Sequence, residues 1–295
     1  MFRNADTTHM SRYTVSMKKA FCILALAYLT ALLCCVFLSS VLSFGLVENT
    51  VLLSVSATTI VFIFSLTTDN SSMYDPYWSV APVCITLYWM KKANVPGILF
   101  FILLLVWSIR LTANCCIHWK GLSDEDWRYR SFRKATGKLY WPVSYLAIHM
   151  IPTFFVLGNM LPVLYILEGK VTNLFLVVTG YVMMLAAFLL ELVADRQMDH
   201  YQKTRTDDTA CCTEGLWAYS RHPNYLGENC LWWGIFIASL GCGGNPILII
   251  APIAMTALFL SYSIPAMEKR QCEHRPSYKE IQKRVPLFLI TGKHW

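Results

Sequence analysis

Long apolar runs, separated by short polar clusters, recur along most of this chain. Eight of them reach or approach the length that crosses a bilayer: about 19–46, 51–67, 79–92, 95–117, 141–167, 171–195, 229–243 and 246–266. The third is too short to cross upright. The fifth carries Pro152 and Pro162, which predicts a kink or a break. The pattern predicts an all-α, polytopic integral membrane helical bundle of about seven to eight spans. A segment at 1–18 precedes the membrane domain at 19–266, and a polar tail at 267–295 follows it. The first run reads as a retained helix, because no small-residue cleavage site follows a short apolar core.

Composition supports this reading. Of 295 residues, 56% are hydrophobic and 15% charged, a charged fraction well below the roughly one quarter of soluble domains. An ordinary soluble enzyme is thereby excluded. With eight spans and a cytosolic amino terminus, 21 of the 25 Lys and Arg residues fall on the cytosolic side. They include Arg3, Arg12 and Lys293, whereas only Lys91, Lys92 and Lys170 fall opposite and Arg110 lies within a span. That bias matches the positive-inside rule. The net charge of +7 is therefore a membrane signature, and no aromatic-interleaved basic patch points to nucleic acid.

The eleven cysteines contain no Cys-x-x-Cys pair, so a zinc or redox centre is not expected and the metal set is empty. Asn70-Ser71-Ser72 fits the glycosylation pattern, but this topology places it in the cytosol, where it would not be used.

Chemistry-bearing residues gather after position 100. Arg110, Asn114 and His118 share one helix face at steps of four. Glu191 and Asp195 do the same near the end of the sixth run. Two carboxylates at a membrane edge need a cation, a hydroxyl or a proton. The densest set is Gly215-Leu216-Trp217-Ala218-Tyr219-Ser220-Arg221-His222-Pro223-Asn224-Tyr225-Leu226-Gly227-Glu228. Gly215 permits a tight bend and Pro223 suits a first helical turn. Arg221 beside free first-turn N–H groups fits a phosphate or carboxylate. Asn224 offers a donor and an acceptor together, and Tyr225 can flank a planar ring. His222 reads as structural. In the basic tail, Tyr278 and Arg284 are the foremost candidates, and Glu268 is a partner for one of them.

The 215–228 segment, Glu191 with Asp195, and the tail around Glu268, Tyr278 and Pro286 resemble the steroid 5-alpha-reductase C-terminal domain family. That family lies in a superfamily shared with the sterol C14 reductases and the isoprenylcysteine carboxyl methyltransferases. The likeness covers roughly 100–295. Arg221 through Gly227 is common to reductases and methyltransferases. Glu228 after the Gly, and Gly215-Leu216-Trp217 before the core, favour the reductase side. Glu191 stands where the steroid reductases tend to carry Asn.

The resemblance implies NADPH in a cytosolic-side cavity. Asn224 and Glu228 would hold the nicotinamide amide, with Arg221, Asp195, Tyr278 and Arg284 along the ribose and phosphates. A lipophilic small-molecule substrate, sterol-like or fatty, would enter from membrane lipid, and hydride would go to a carbon conjugated with a carbonyl. The nearest counterparts of the family's polarising Glu and Tyr are Asp75 with Tyr74 or Tyr77. An oxidoreductase of an endoplasmic-reticulum-type membrane is the first expectation. An S-adenosylmethionine-dependent methyltransferase of a prenylated or lipid substrate stands beside it, as does a sterol-binding protein without chemistry.

Overall fold

The computed structural model describes residues 16–91 and 94–288; Arg3, Arg12, Lys92 and Lys293 lie outside the described residues. The described residues form helices joined by turns, with no strand among them. The helices are α1 (Met17–Val41), α2 (Leu46–Thr67), α3 (Tyr77–Trp89), α4 (Val95–His118), α5 (Trp127–Thr136), α6 (Tyr140–Val143) and α7 (Ile151–Glu168), then α8 (Leu174–Thr204), α9 (Pro223–Gly241), α10 (Ile250–Leu258), α11 (Ile264–His274) and α12 (Tyr278–Arg284).

Among the described residues, six helical stretches are long and apolar enough to cross a membrane: Met17–Val41, Leu46–Thr67, Val95–His118, Trp127–Glu168, Leu174–Thr204 and Pro246–His274. Two of the eight expected runs fall outside that set. The 13 residues of α3 reach about 20 Å, short of the roughly 30 Å of hydrocarbon. The 19 residues of α9 are diluted by Asn224, Glu228 and Asn229 in its first two turns. The polytopic helical bundle is as expected.

The chain packs as two units, residues 16–89 with 105–157 and residues 90–104 with 158–288; α4 and α7 contribute to both. In the first unit, α1 turns a stripe of small residues inward, with Ala20, Ala27 and Ala31 buried beside Leu24. Small side chains let helix backbones approach where the hydrophobic effect gives no drive. Leu29, Leu33 and Phe37 on the same helix are more than half exposed, as a lipid-facing surface requires. Along α2, buried hydroxyls satisfy themselves: Thr50 donates to Leu46 O at 2.7 Å and Ser65 to Val61 O at 3.1 Å. Thr58 pairs with Thr153 at 2.8 Å. In a medium without water, each such group needs a partner.

Residues 68–76 are tied to 119–140 by polar side chains. Ser71 N–H donates to Glu125 Oε1 at 2.9 Å, and the Ser71 and Tyr140 hydroxyls lie 2.6 Å apart. Arg133 reaches Asp69 at 2.9 Å and Glu125 at 3.2 Å, with its guanidinium 4.0 Å from the Tyr140 ring centroid. Asn70 is fully buried and its amide donates to the carbonyls of Leu122 and Asp124, which leaves no room for a glycan. The expected kink near Pro152 takes the form of a wide π-helical turn, Ser144–Met150, immediately before α7. Proline lacks the N–H that would hold the preceding turn in α geometry. Inside this turn, the buried His149 meets Ser144 O at 2.9 Å and Ser65 Oγ at 3.3 Å.

The second unit is built on α8 against α9. Gly227, Gly234 and Gly241 recur at sevens along α9 and face α8. A Cβ on Gly234 would lie 2.8 Å from Gly180 O, and one on Gly227 would lie 2.5 Å from Glu191 Cγ. Nothing larger than hydrogen fits there. The far end of the pair is closed by Thr172 N and Asn173 N donating to Gly241 O at 2.9 and 3.0 Å.

Candidate functional site

The close crossing of α8 and α9 decides which polar groups meet. Glu191, 2% exposed, packs its side chain against Gly227. The next residue along α9, Glu228, is 7% exposed and accepts from Trp232 Nε1 at 3.0 Å. Two carboxylates are thus buried on the facing sides of α8 and α9. One turn from Glu191 on α8, Asp195 is half-buried, as are Asn224 and Tyr225 at the start of α9.

The segment between these helices is pinned to α8. Gln197 Oε1 accepts from Leu216 N at 2.8 Å, and Trp217 Nε1 donates to Ala194 O at 3.0 Å. Gly215 turns there at φ 58°, a region that favours glycine. Pro223 then occupies the first turn of α9, as its fixed φ allows. Asn224 Oδ1 accepts from Tyr225 N at 3.0 Å. The Tyr225 ring stacks on His222 at 5.4 Å and 6° and meets Phe259 edge-on at 5.2 Å.

Arg221 points into the protein. Its Nε donates to Glu268 Oε1 at 2.6 Å, and its Nη1 donates to the carbonyls of Gln282 at 3.1 Å and Val285 at 2.5 Å. Its backbone N–H donates to Pro286 O at 3.0 Å. His222 Nε2 lies 3.1 Å from the same Glu268 oxygen, and Gln282 donates to the other at 2.8 Å. Glu268 is therefore the partner of Arg221 and His222, where the sequence suggested Tyr278 or Arg284. This network straps the tail over the start of α9. Gln282 is a member that sequence reading missed, since it has no distinctive neighbour in the chain.

Tyr278 lies under the strap, buried with Ile281 and Val285 and flanked by Cys211 and Cys272. Burial pushes its phenol well above the usual range, and Glu268 adds to the rise. Arg284 is exposed and lines a surface hollow of about 640 Å3 with Asp207, Thr209, Cys211, Ser277 and Glu280. The hydroxyl and N–H of Thr209 hold the Asp207 carboxyl below its usual range.

Asp75 and Tyr77, in the first unit, are two residues apart and diverge. Asp75 accepts a short hydrogen bond from Tyr129 OH and lies 3.7 Å from Arg128. Burial raises its carboxyl to about 6, opposed by Arg128 and Tyr129 and helped by Asp126 and Glu125. Tyr77 instead donates to Ser54 O at 3.1 Å. Tyr74, stacked on Tyr77 at 4.9 Å, pairs with Thr153 at 2.8 Å. Asp75 and the two tyrosines thus hydrogen-bond to different partners. The Asp75 partners Tyr129 and Arg128 come from α5, too distant in sequence to have been matched to it.

Six apolar helices, buried hydroxyls paired among themselves and lipid-facing aliphatic surfaces define an integral, multi-pass helical membrane protein. The chain belongs to the family described as "Protein of unknown function (DUF1295)", whose sequence model matches residues 61–285. It is also similar to an uncharacterized protein of the fission yeast Schizosaccharomyces pombe, at 24% identity across 78% of this chain and 76% of that one. No solved structure is significantly similar to it.

Proposed function

We propose that this protein is a membrane-embedded reductase that uses NADPH to saturate a carbon–carbon double bond conjugated to a carbonyl in a lipophilic, steroid-like or fatty substrate. One observation carries the reading: the buried carboxylates Glu191 and Glu228 at the tightest contact of α8 and α9, bordered by Asp195, Asn224 and Tyr225. Ionisable groups inside a membrane domain are costly and cluster at functional sites. The likeness of residues 215–228 to the steroid 5-alpha-reductases supports a nicotinamide as the ligand of this polar set.

The residues fit that ligand in part. Asn224 and Glu228 supply the donor and acceptors that a carboxamide needs. Tyr225 offers a ring for stacking, although one face already lies on His222. Arg221 is held by Glu268 and the tail carbonyls, so it serves as a positioning residue. Arg284, exposed at the rim of the surface hollow, suits a phosphate, and Asp195 suits a ribose hydroxyl. Tyr278, buried in its apolar cluster, supports the tail. When bound, NADPH supplies the hydride. Asp75 keeps its proton to about pH 6, which suits a group that donates a proton or a hydrogen bond.

Trp217, Trp232 and Trp233 report on this region. Titration of the detergent-purified protein with NADPH should quench their fluorescence saturably. In Asn224→Ala the affinity should fall about tenfold, the worth of about 1.4 kcal/mol of lost hydrogen bonding. Quenching by S-adenosylmethionine in place of NADPH would transfer the proposal to a methyltransferase, and silence with both ligands would end it.

A further inference from the structure

A second hollow, of about 320 Å3, lies among α1, α2 and α3 in the first unit. Its walls are made by side chains such as Leu53, Ala57 and Ile85. Four of the polar side chains that line it, Thr50, Cys35, Ser39 and Tyr77, are already engaged within the protein, beside Ser54, Cys84 and Tyr88. Thr50 Oγ1 donates to Leu46 O at 2.7 Å and accepts from Trp89 Nε1 at 2.7 Å. Cys35 Sγ–H donates to Leu53 O at 3.4 Å, Ser39 Oγ–H to Val36 O at 2.8 Å and Tyr77 OH to Ser54 O at 3.1 Å. Such a space, lined mostly by apolar side chains, suits a hydrocarbon better than water, which needs two to four polar partners. A ligand with a polar core would bring groups that the walls do not answer.

The rim shows where an occupant comes from. Leu32 and Val36 of α1 are 49% and 59% exposed, and Leu87 of α3 is 55% exposed. They continue the outward aliphatic surface that α1 presents with Leu29, Leu33 and Phe37. On a membrane-spanning helix, that surface faces hydrocarbon.

We infer that this hollow is a lateral binding site for one flexible hydrocarbon chain of a membrane lipid, which enters between α1 and α3 and lies against Ala57. Leaving bulk lipid brings no hydrophobic gain. Retention therefore rests on close contact with the walls, and a volume near the lower bound of ligand pockets favours a single chain over a bulky rigid ring system. The site does not depend on the cofactor reading, because its walls share no residue with the α8–α9 set.

The test uses the full chain in phosphatidylcholine nanodiscs whose acyl chains carry a mid-chain diazirine. After photolysis, adducts should concentrate on Leu32, Val36 and Leu87. Their yield should exceed that on Val178 and Val182, which are equally exposed on α8, by about fivefold, a preference of about 1 kcal/mol. Ala57→Trp fills the hollow and should abolish that excess while leaving α8 labelling unchanged. Ala81→Leu is a milder filling variant for the case that the tryptophan does not fold. Equal labelling of α1, α3 and α8 in the wild type would overturn the site, as would an excess that survives filling. Stronger labelling by a diazirine sterol would overturn the flexible chain as occupant.

Discussion

Glu268 accepts from Arg221 and Gln282 and meets His222, all with little exposure to water. Removing it strands a cation and a ring nitrogen in a half-buried strap. Glu268→Ala should cost about 2 kcal/mol, below the figure for a fully buried pair because some screening remains. Limited proteolysis should then cut within 275–288 ahead of global unfolding; an unchanged digestion pattern would contradict the strap. At Asp75, the folded carboxyl titrates near 6, above the usual carboxylate range. Between about 4 and 6 the folded chain holds a proton that the unfolded chain has released, so stability from this group falls as pH rises through that window. Melting curves of the wild type should show that decline relative to Asp75→Asn, and parallel curves would exclude it. Residue types were readable in advance here, but their partners were not. Arg221 beside a helix start reads as an anion clamp until α11 brings a carboxylate to it from 47 positions away.

At the scale of elements, the α8–α9 pair depends on the absence of side chains. A Cβ at Gly234 meets backbone as well as Met184 Cγ at 2.9 Å, and backbone cannot swing aside. Gly234→Val should destabilise by about 3 kcal/mol or more through overpacking, read as loss of the monodisperse species in size-exclusion chromatography. An equal elution profile and melting temperature would argue that the helices sit farther apart. The spacing of Gly227, Gly234 and Gly241 was visible in the chain, yet glycine there also fits a loose or lipid-facing helix. Only the facing helix gives it meaning. The helices themselves were legible because an apolar run of twenty residues in a bilayer has one way to satisfy its backbone. The π turn before Pro152 was legible only as a disturbance, since proline removes a donor without dictating what replaces the lost bond.

For the whole molecule, the Lys and Arg distribution across the eight apolar runs predicts a cytosolic tail after α11. A tag at the carboxyl terminus should be digested by protease added to sealed microsomes, without detergent. Protection of that tag until the membrane is permeabilised would reverse the orientation.

Class and membrane residence follow from composition and run length, because transfer of apolar surface and backbone pairing are local properties that any stretch of chain reveals. The same local logic marked 215–228 as the densest set of polar and aromatic residues. What required the folded molecule was pairing at a distance. It joined Asp75 to Tyr129 and not to Tyr77, used Arg221 to hold the tail, and set Glu191 against Gly227. Each outcome depends on which helix faces arrive side by side, and close packing sets that over dozens of residues at once.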